Sequence, residues 1–239
     1  MDEDRDVVTR RALIGGSALC AVGLACGTYA TRETAPLRTT GLTASGPVAP
    51  LHALPASDVA GSAGVRIVGP QPRPALLRRA LVALERHGDR GVSRDRIAVV
   101  DFAMPSSRPR LHVVDLRSGR SWATLVSHGS GSDPQRTGWV ERLSNMEGSN
   151  ASCEGAFLTS DFYEGRHGRS QRLIGLDPSN DRALERAIVI HGAWYSERAV
   201  AVRTGALGRS QGCFAVGDSV LDEFLGRLGR HRMVFASKA

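Results

Sequence analysis

From residue 97 to its end, the chain is a succession of short apolar runs separated by Gly, Ser and Asn turns, and few folds accept that pattern. Ile97-Ala98-Val99-Val100-Asp101-Phe102 reads as a strand, and Arg110-Leu111-His112-Val113-Val114-Asp115-Leu116 alternates as a second. Arg117-Ser118-Gly119-Arg120 carries turn residues, and 121–127 returns as a third strand. Further strands are expected near 155–160, 171–175 and 187–191, with a last one at 233–235. Helical spacing is confined to 75–88, after Pro74, and to the short run 220–228. Runs this short cannot bury a face alone, so they must share a sheet. The expectation is a mainly β domain with short helices and no internal repeat.

The first 74 residues follow other rules. Residues 1–30 read as a signal segment, because an apolar run at 12–25 follows Arg10 and Arg11 and is too short for an ordinary spanning helix. The string Thr9-Arg10-Arg11-Ala12-Leu13-Ile14 resembles the twin-arginine export signal, a route that carries folded chains. Two outcomes are open: cleavage near Ala30, or retention as a membrane tether through the segment itself or a lipid on Cys26. In Gly23-Leu24-Ala25-Cys26 the leucine stands one place too near the cysteine for a good lipobox, which favours cleavage or an uncleaved anchor. Residues 31–74, rich in Pro, Ala, Gly, Ser and Thr, read as a flexible linker, and 75–237 as the folded domain.

Composition narrows the function classes. With 41% hydrophobic and 23% charged residues, the chain fits a soluble globular protein. The formal charge is +7, carried by arginine with Lys238 as the sole lysine, and it suits residence near an anionic polymer. No basic stripe with interleaved aromatics is present, so nucleic acid is not an expected partner. Of four cysteines, Cys20 and Cys26 fall in the signal segment, while Cys153 and Cys213 stand sixty residues apart in the domain. A single bridge and a reactive free thiol are both open there. There is no Cys-x-x-Cys or His-x-x-x-His pair, so neither a structural zinc nor another cofactor is expected.

The chemistry concentrates in two stretches. Ala187-Ile188-Val189-Ile190-His191-Gly192 is an apolar strand that ends in an imidazole and a glycine. Gly208-Arg209-Ser210-Gln211-Gly212-Cys213-Phe214-Ala215-Val216 is a small polar turn that delivers a thiol into an apolar run. A thiol needs a partner to become a useful thiolate near neutral pH, and imidazole is the commonest one. Taken alone, Cys213 is as easily a packing residue.

The pattern His-Gly, about eighteen residues, then Ser-x-Gly-Cys resembles the signature of the L,D-transpeptidases. The resemblance also runs through Asp101-Phe102, Pro105-Ser106, Val113 to Leu116, Val126-Ser127-His128-Gly129, Ser144-Asn145, Gly155-Ala156-Phe157 and Gly165-Arg166-His167-Gly168 with Ser170. It points to the branch known as murein L,D-transpeptidase catalytic-domain proteins and implies a β-sandwich catalytic domain over 75–237. By that resemblance Cys213 attacks the carbonyl after diaminopimelate in a wall tetrapeptide, releases D-alanine and holds a thioester. His191 would serve as base, with Gly192 beside it and its ring oriented by a backbone carbonyl or a distant group. Backbone N–H groups around Gly212 and Cys213 would hold the oxyanion. Gln211 departs from the family's frequent histidine and would brace the loop instead.

The resemblance further suggests His128, Ser144, Asn145, Arg209, Ser210 and Gln211 as substrate-binding residues, with Arg209 meeting a carboxylate. Each also has an ordinary reading, as a structural histidine, turn residue or solvated arginine. Trp194 and Tyr195 either wall the site or pack on the surface. The partners expected are peptidoglycan stem peptides, and the chain is expected to act as a monomer in the periplasm or cell envelope. Alternatives are a carboxypeptidase or endopeptidase using water as acceptor, and a wall-binding protein with a dead site. A papain-like protease is disfavoured, since there the cysteine precedes the histidine.

Overall fold

The computed structural model describes residues 67–238. The expected signal segment and the linker up to residue 66 lie outside the described residues. Residues 67–74, the end of that expected linker, are fixed to the domain. Val68 forms a β-bridge with Arg120, and Arg73 pairs with Asp101 at 2.5 Å. No helix among the described residues is long and apolar enough to cross a membrane.

The elements in order are α1 (Pro74–Arg86), β1 (Arg96–Asp101), β2 (Leu111–Asp115), β3 (Ser121–Thr124), β4 (Gly155–Gly165), β5 (Gly168–Gly175), β6 (Val189–Gly192), α2 (Arg198–Thr204), β7 (Phe214–Val216), α3 (Asp218–Leu228) and β8 (Met233–Ser237). The domain is thus mainly β with three short helices, as the run pattern requires. All strands share one sheet in the order β3-β2-β1-β8-β4-β5-β6-β7. Most neighbours are antiparallel, but β1 with β8 and β6 with β7 are parallel.

Alternation along β1 explains the two cores. Ile97 and Val99 face α1, which buries Leu76, Ala80, Ala83 and Leu84 at helical spacing. Ala98 and Val100 face the other way and meet Leu111 and Val113 of β2. The same core contains Ile190, Phe214 and Val216 from the far end of the sheet, so the sheet curls until its two halves lie face to face in a sandwich. Phe102 stacks on Phe214 across that core at 5.9 Å, and α3 closes it with Leu221, Phe224, Leu225 and Leu228. Both Cys153 and Cys213 are free thiols.

Three elements exceed what the run pattern predicts. α2 lies in Arg-rich sequence whose side chains are mostly exposed, with Ala201 its buried residue. β4 and β5 continue well past their apolar parts and pair out to Gly165 with Gly168. The outer half of that hairpin stands in solvent and carries Asp161, Glu164, Arg166 and Arg169, so it has no apolar alternation to read.

Candidate active site

The parallel pairing of β6 and β7 creates the site. Ile190 lies opposite Phe214, and His191 opposite Ala215. Ile190 and Phe214 fill the core, so by alternation His191 and Cys213 emerge together on the opposite face. They open there into a cleft of about 610 Å³, with Tyr163, Arg166, His167 and Arg186 on its walls.

The turn before the thiol is fixed by two hydroxyls. Ser210 Oγ accepts from the Gly212 N–H at 3.1 Å and donates to the Cys213 carbonyl at 2.7 Å. Ser152 Oγ donates to the Gly212 carbonyl at 3.0 Å from the other side. Gly212 has φ +116°, and a Cβ there would stand 2.7 Å from Ile188 Cδ1, so only glycine fits. Its N–H is committed to Ser210, and its conformation serves the turn.

His191 is buried, and its Nδ1 lies 2.7 Å from the Gly192 carbonyl. A carbonyl only accepts, so Nδ1 carries the proton and Nε2 holds the lone pair of the neutral ring. The backbone carbonyl thus supplies the orienting contact. Gly192 is required beside it, because a Cβ there would sit 2.4 Å from Asp218 Oδ1 at the start of α3. Burial pushes the His191 pKa below its usual value, with the Gly192 carbonyl opposing and His167 adding to the shift. The ring is therefore neutral and able to take a proton.

The half-buried Cys213 thiol donates to the Ala187 carbonyl at 3.5 Å and not to the imidazole. Ala187 has φ +52°, a left-handed conformation uncommon outside glycine, and strain of this kind concentrates at functional sites. Burial raises the Cys213 pKa, while the Val189 backbone, Arg186 and Arg166 lower it. The resting group is thus a protonated thiol. Cys153 is fully buried and burial pushes its thiol up to about 11, so it is the less reactive of the two.

Arg209, Ser210 and Gln211 line the cleft. Arg209 also donates to the Ser130 and Asp133 carbonyls. The other three residues expected to bind substrate sit elsewhere. Asn145 donates to the Pro178 carbonyl at 3.1 Å and to Asp181 at 2.7 Å. The Ser144 carbonyl accepts from Arg186 at 2.8 Å, and Ser144 Oγ accepts from the Met146 N–H at 3.1 Å. Both residues brace the loop behind Arg186.

His128 is fully buried behind the turn. Its Nδ1 accepts from Arg110 at 2.7 Å, its Nε2 faces Asp133 at 3.3 Å, and its carbonyl accepts from the Ser210 N–H at 3.0 Å. It supports the turn from below. Burial, with Arg110 adding, pushes its pKa down to about 4. The folded ring takes a proton only near pH 4, whereas the unfolded ring does so near 6.5. Between those values the unfolded state holds more protons, so stability rises with pH through that window and is complete above it. The shift corresponds to about 3 kcal/mol. Urea unfolding from pH 4 to 7 should show this slope. His128→Gln, which can still accept from Arg110, should flatten it by up to one proton. An unchanged slope would refute the assignment.

Residues that the sequence reading did not place in the cleft include Arg166, His167 and Arg186. Arg186 reaches the Ala151 carbonyl at 2.6 Å as well as Ser144. Tyr195, with two open readings, lines the cleft, whereas Trp194 is largely exposed beside it. The GRHG string was visible, but nothing in its spacing says that a hairpin folds it over β6.

A family model for the L,D-transpeptidase catalytic domain matches residues 70–237. The chain belongs to that family. Solved structures with a likeness to this L,D-transpeptidase-family domain include an LD transpeptidase in complex with imipenem, at 12% identity and TM-score 0.36 over 60% of this chain and 59% of that one. An L,D-transpeptidase from Mycobacterium smegmatis matches at 11% identity and TM-score 0.37, over 60% and 58%. Another, from Mycobacterium tuberculosis H37Rv, matches at 12% and 0.35, over 60% and 57%. The L,D-transpeptidase-family chain therefore spans under three fifths of the length of these solved structures. No curated protein matches it.

Proposed function

We propose that this domain is a cysteine acyltransferase of bacterial wall peptides, an L,D-transpeptidase in activity as well as in family. The observation that carries the reading is the pairing, in one cleft, of a thiol on a glycine turn with an imidazole whose Nδ1 is held by the Gly192 carbonyl.

The steps follow from the protonation states. As Cys213 Sγ approaches the carbonyl carbon after diaminopimelate, His191 Nε2 takes the thiol proton. An S–C bond forms, and the carbonyl π pair moves to oxygen. The Cys213 N–H is the donor proposed for that oxyanion, since Gly212 is committed to Ser210. Collapse breaks the C–N bond, and the departing D-alanine amine takes the proton from His191. An acceptor amine then attacks the thioester, losing its proton to His191 as thiolate leaves. Arg166, Arg186 and Arg209 outnumber Glu147 and Glu185 in the cleft lining, a net positive balance suited to the carboxylates of a stem peptide. The enzyme works outside the cytoplasmic membrane as a monomer, exported through residues 1–30 and then cleaved or kept as a tether.

Purified wall tetrapeptides incubated with the protein should yield free D-alanine and a dimer joined between two diaminopimelate residues, both seen by mass spectrometry. Tripeptide without dimer means that water is the acceptor. Unchanged tetrapeptide contradicts the reading.

A further inference from the structure

The tip of the β4–β5 hairpin touches the site in a way that the steps above do not use. His167 is exposed on a two-residue turn, yet its ring lies on His191 with centroids 4.3 Å apart and planes 22° from parallel. We propose that His167 is a positioning residue for His191, a ring-shaped clamp that holds the base in place and keeps water from its open face. The proposal rests on the reading of His191 as the base.

Three observations make the contact a built one. First, the hairpin is anchored. Its β5 strand pairs with β6 at Ser170, Gln171 and Arg172, and Arg169 adds an exposed ion pair with Asp222 of α3 at 2.6 Å. Ser170, the residue paired with His191 across β5 and β6, ties the turn by donating to the Gly168 carbonyl at 3.0 Å. Second, the turn's geometry demands its flanking glycines. Gly168 has φ +70°, and a Cβ on Gly165 would stand 2.8 Å from the Tyr163 ring. Third, His167 is itself oriented. Arg166 Nε donates to His167 Nε2 at 3.1 Å, and a guanidinium cannot accept, so that nitrogen presents its lone pair.

The consequence for catalysis follows from what else holds His191. Burial and the Nδ1 bond to Gly192 fix the inner edge of the ring, but a hydrogen bond at one edge still allows the ring plane to tilt. A second ring on its face removes that freedom, and small misplacements of a catalytic group are costly. The groups that face His191 are Asp218 from α3, which favours its protonated form, and His167 and Arg166 from the hairpin, which disfavour it. Desolvation is the largest influence, and it also favours the neutral base. Removing the His167 ring admits water, so the acid limb of the pH–rate profile should move up toward the ordinary imidazole value of 6.5.

The test uses imipenem as acylating probe. Acylation is followed by loss of the β-lactam absorbance across pH 4.5 to 8 and by intact mass, for wild type, His167→Ala and His167→Phe. The expected result is a fall of roughly ten-fold to a hundred-fold in the maximal acylation rate of His167→Ala, with its acid limb at higher pH. His167→Phe should recover most of the rate and the wild-type limb, because a phenyl ring stacks without ionising. A His167→Ala profile that matches wild type overturns the proposal. So does an equal loss in both variants with the limb unmoved, since the imidazole would then act through a hydrogen bond instead of a face. If wild type gains no imipenem at Cys213, the reading of the site fails, and the clamp fails with it.

Discussion

Cys213→Ala should reduce D-alanine release from wall tetrapeptides to the rate seen without enzyme. The other hydroxyls in the cleft are poor substitutes: Tyr195 is pushed up to about 12 by burial and Ser210 Oγ is committed to the Cys213 carbonyl, while Cys153 lies wholly in the core. Cys213→Ser should be nearly as inactive. A hydroxyl is a far weaker nucleophile than a thiol, and the base here has its Nδ1 held by the neutral Gly192 carbonyl instead of by a hydrogen-bonded carboxylate. Cys153→Ala should keep the activity, since that thiol is a core residue packed among Phe157, Ile188 and Phe214. D-alanine release measured on the three variants tests all of this together.

His191→Ala should leave the sheet intact and lower acyl transfer by roughly 10²–10⁴, the usual worth of one general acid–base group. The size follows from the resting state. Burial raises the Cys213 pKa above its ordinary 9.0, so near neutral pH little thiolate exists without a base. Hydroxide can replace the base as the pH climbs, and the deficit of His191→Ala should therefore narrow above pH 9. Single-turnover acylation from pH 6 to 10 checks this. A deficit that stays constant across that range would mean that His191 orients substrate and does not move the proton.

The parts of this protein that its sequence makes legible are those that burial controls. β1, β2 and β6 are apolar because both their faces are covered, and α1 declares itself through Leu76, Ala80 and Leu84 at helical spacing. The Ser-Gln-Gly-Cys turn is legible for another reason, because a hydroxyl and a glycine at fixed offsets are what the bonds of Ser210 and the φ of Gly212 require. The hairpin arm is the opposite case. Its outer residues lie in water, so no period marks them, and its place over His191 follows from the pairing of β5 with β6, a long-range contact that no local pattern announces. His128 shows the limit of reading chemistry from residue type. A histidine at a strand end beside a glycine suggested a cleft residue, but Arg110 and Asp133 enclose it below the turn. Ser144 and Asn145 have the same two readings, and the contacts they make are with neighbouring loop groups, since polar side chains on a loop serve backbone as readily as a ligand.

The central claim is that Cys213 carries the acyl group. It is tested most directly by quenching the protein in acid during turnover of a wall tetrapeptide and reading intact mass, followed by peptide mapping, for wild type, Cys153→Ala and Cys213→Ala. The account predicts a mass gain of one tripeptide acyl group, mapped to Cys213, in the first two proteins and none in the third. An adduct that persists in Cys213→Ala, or that vanishes in Cys153→Ala, would contradict it.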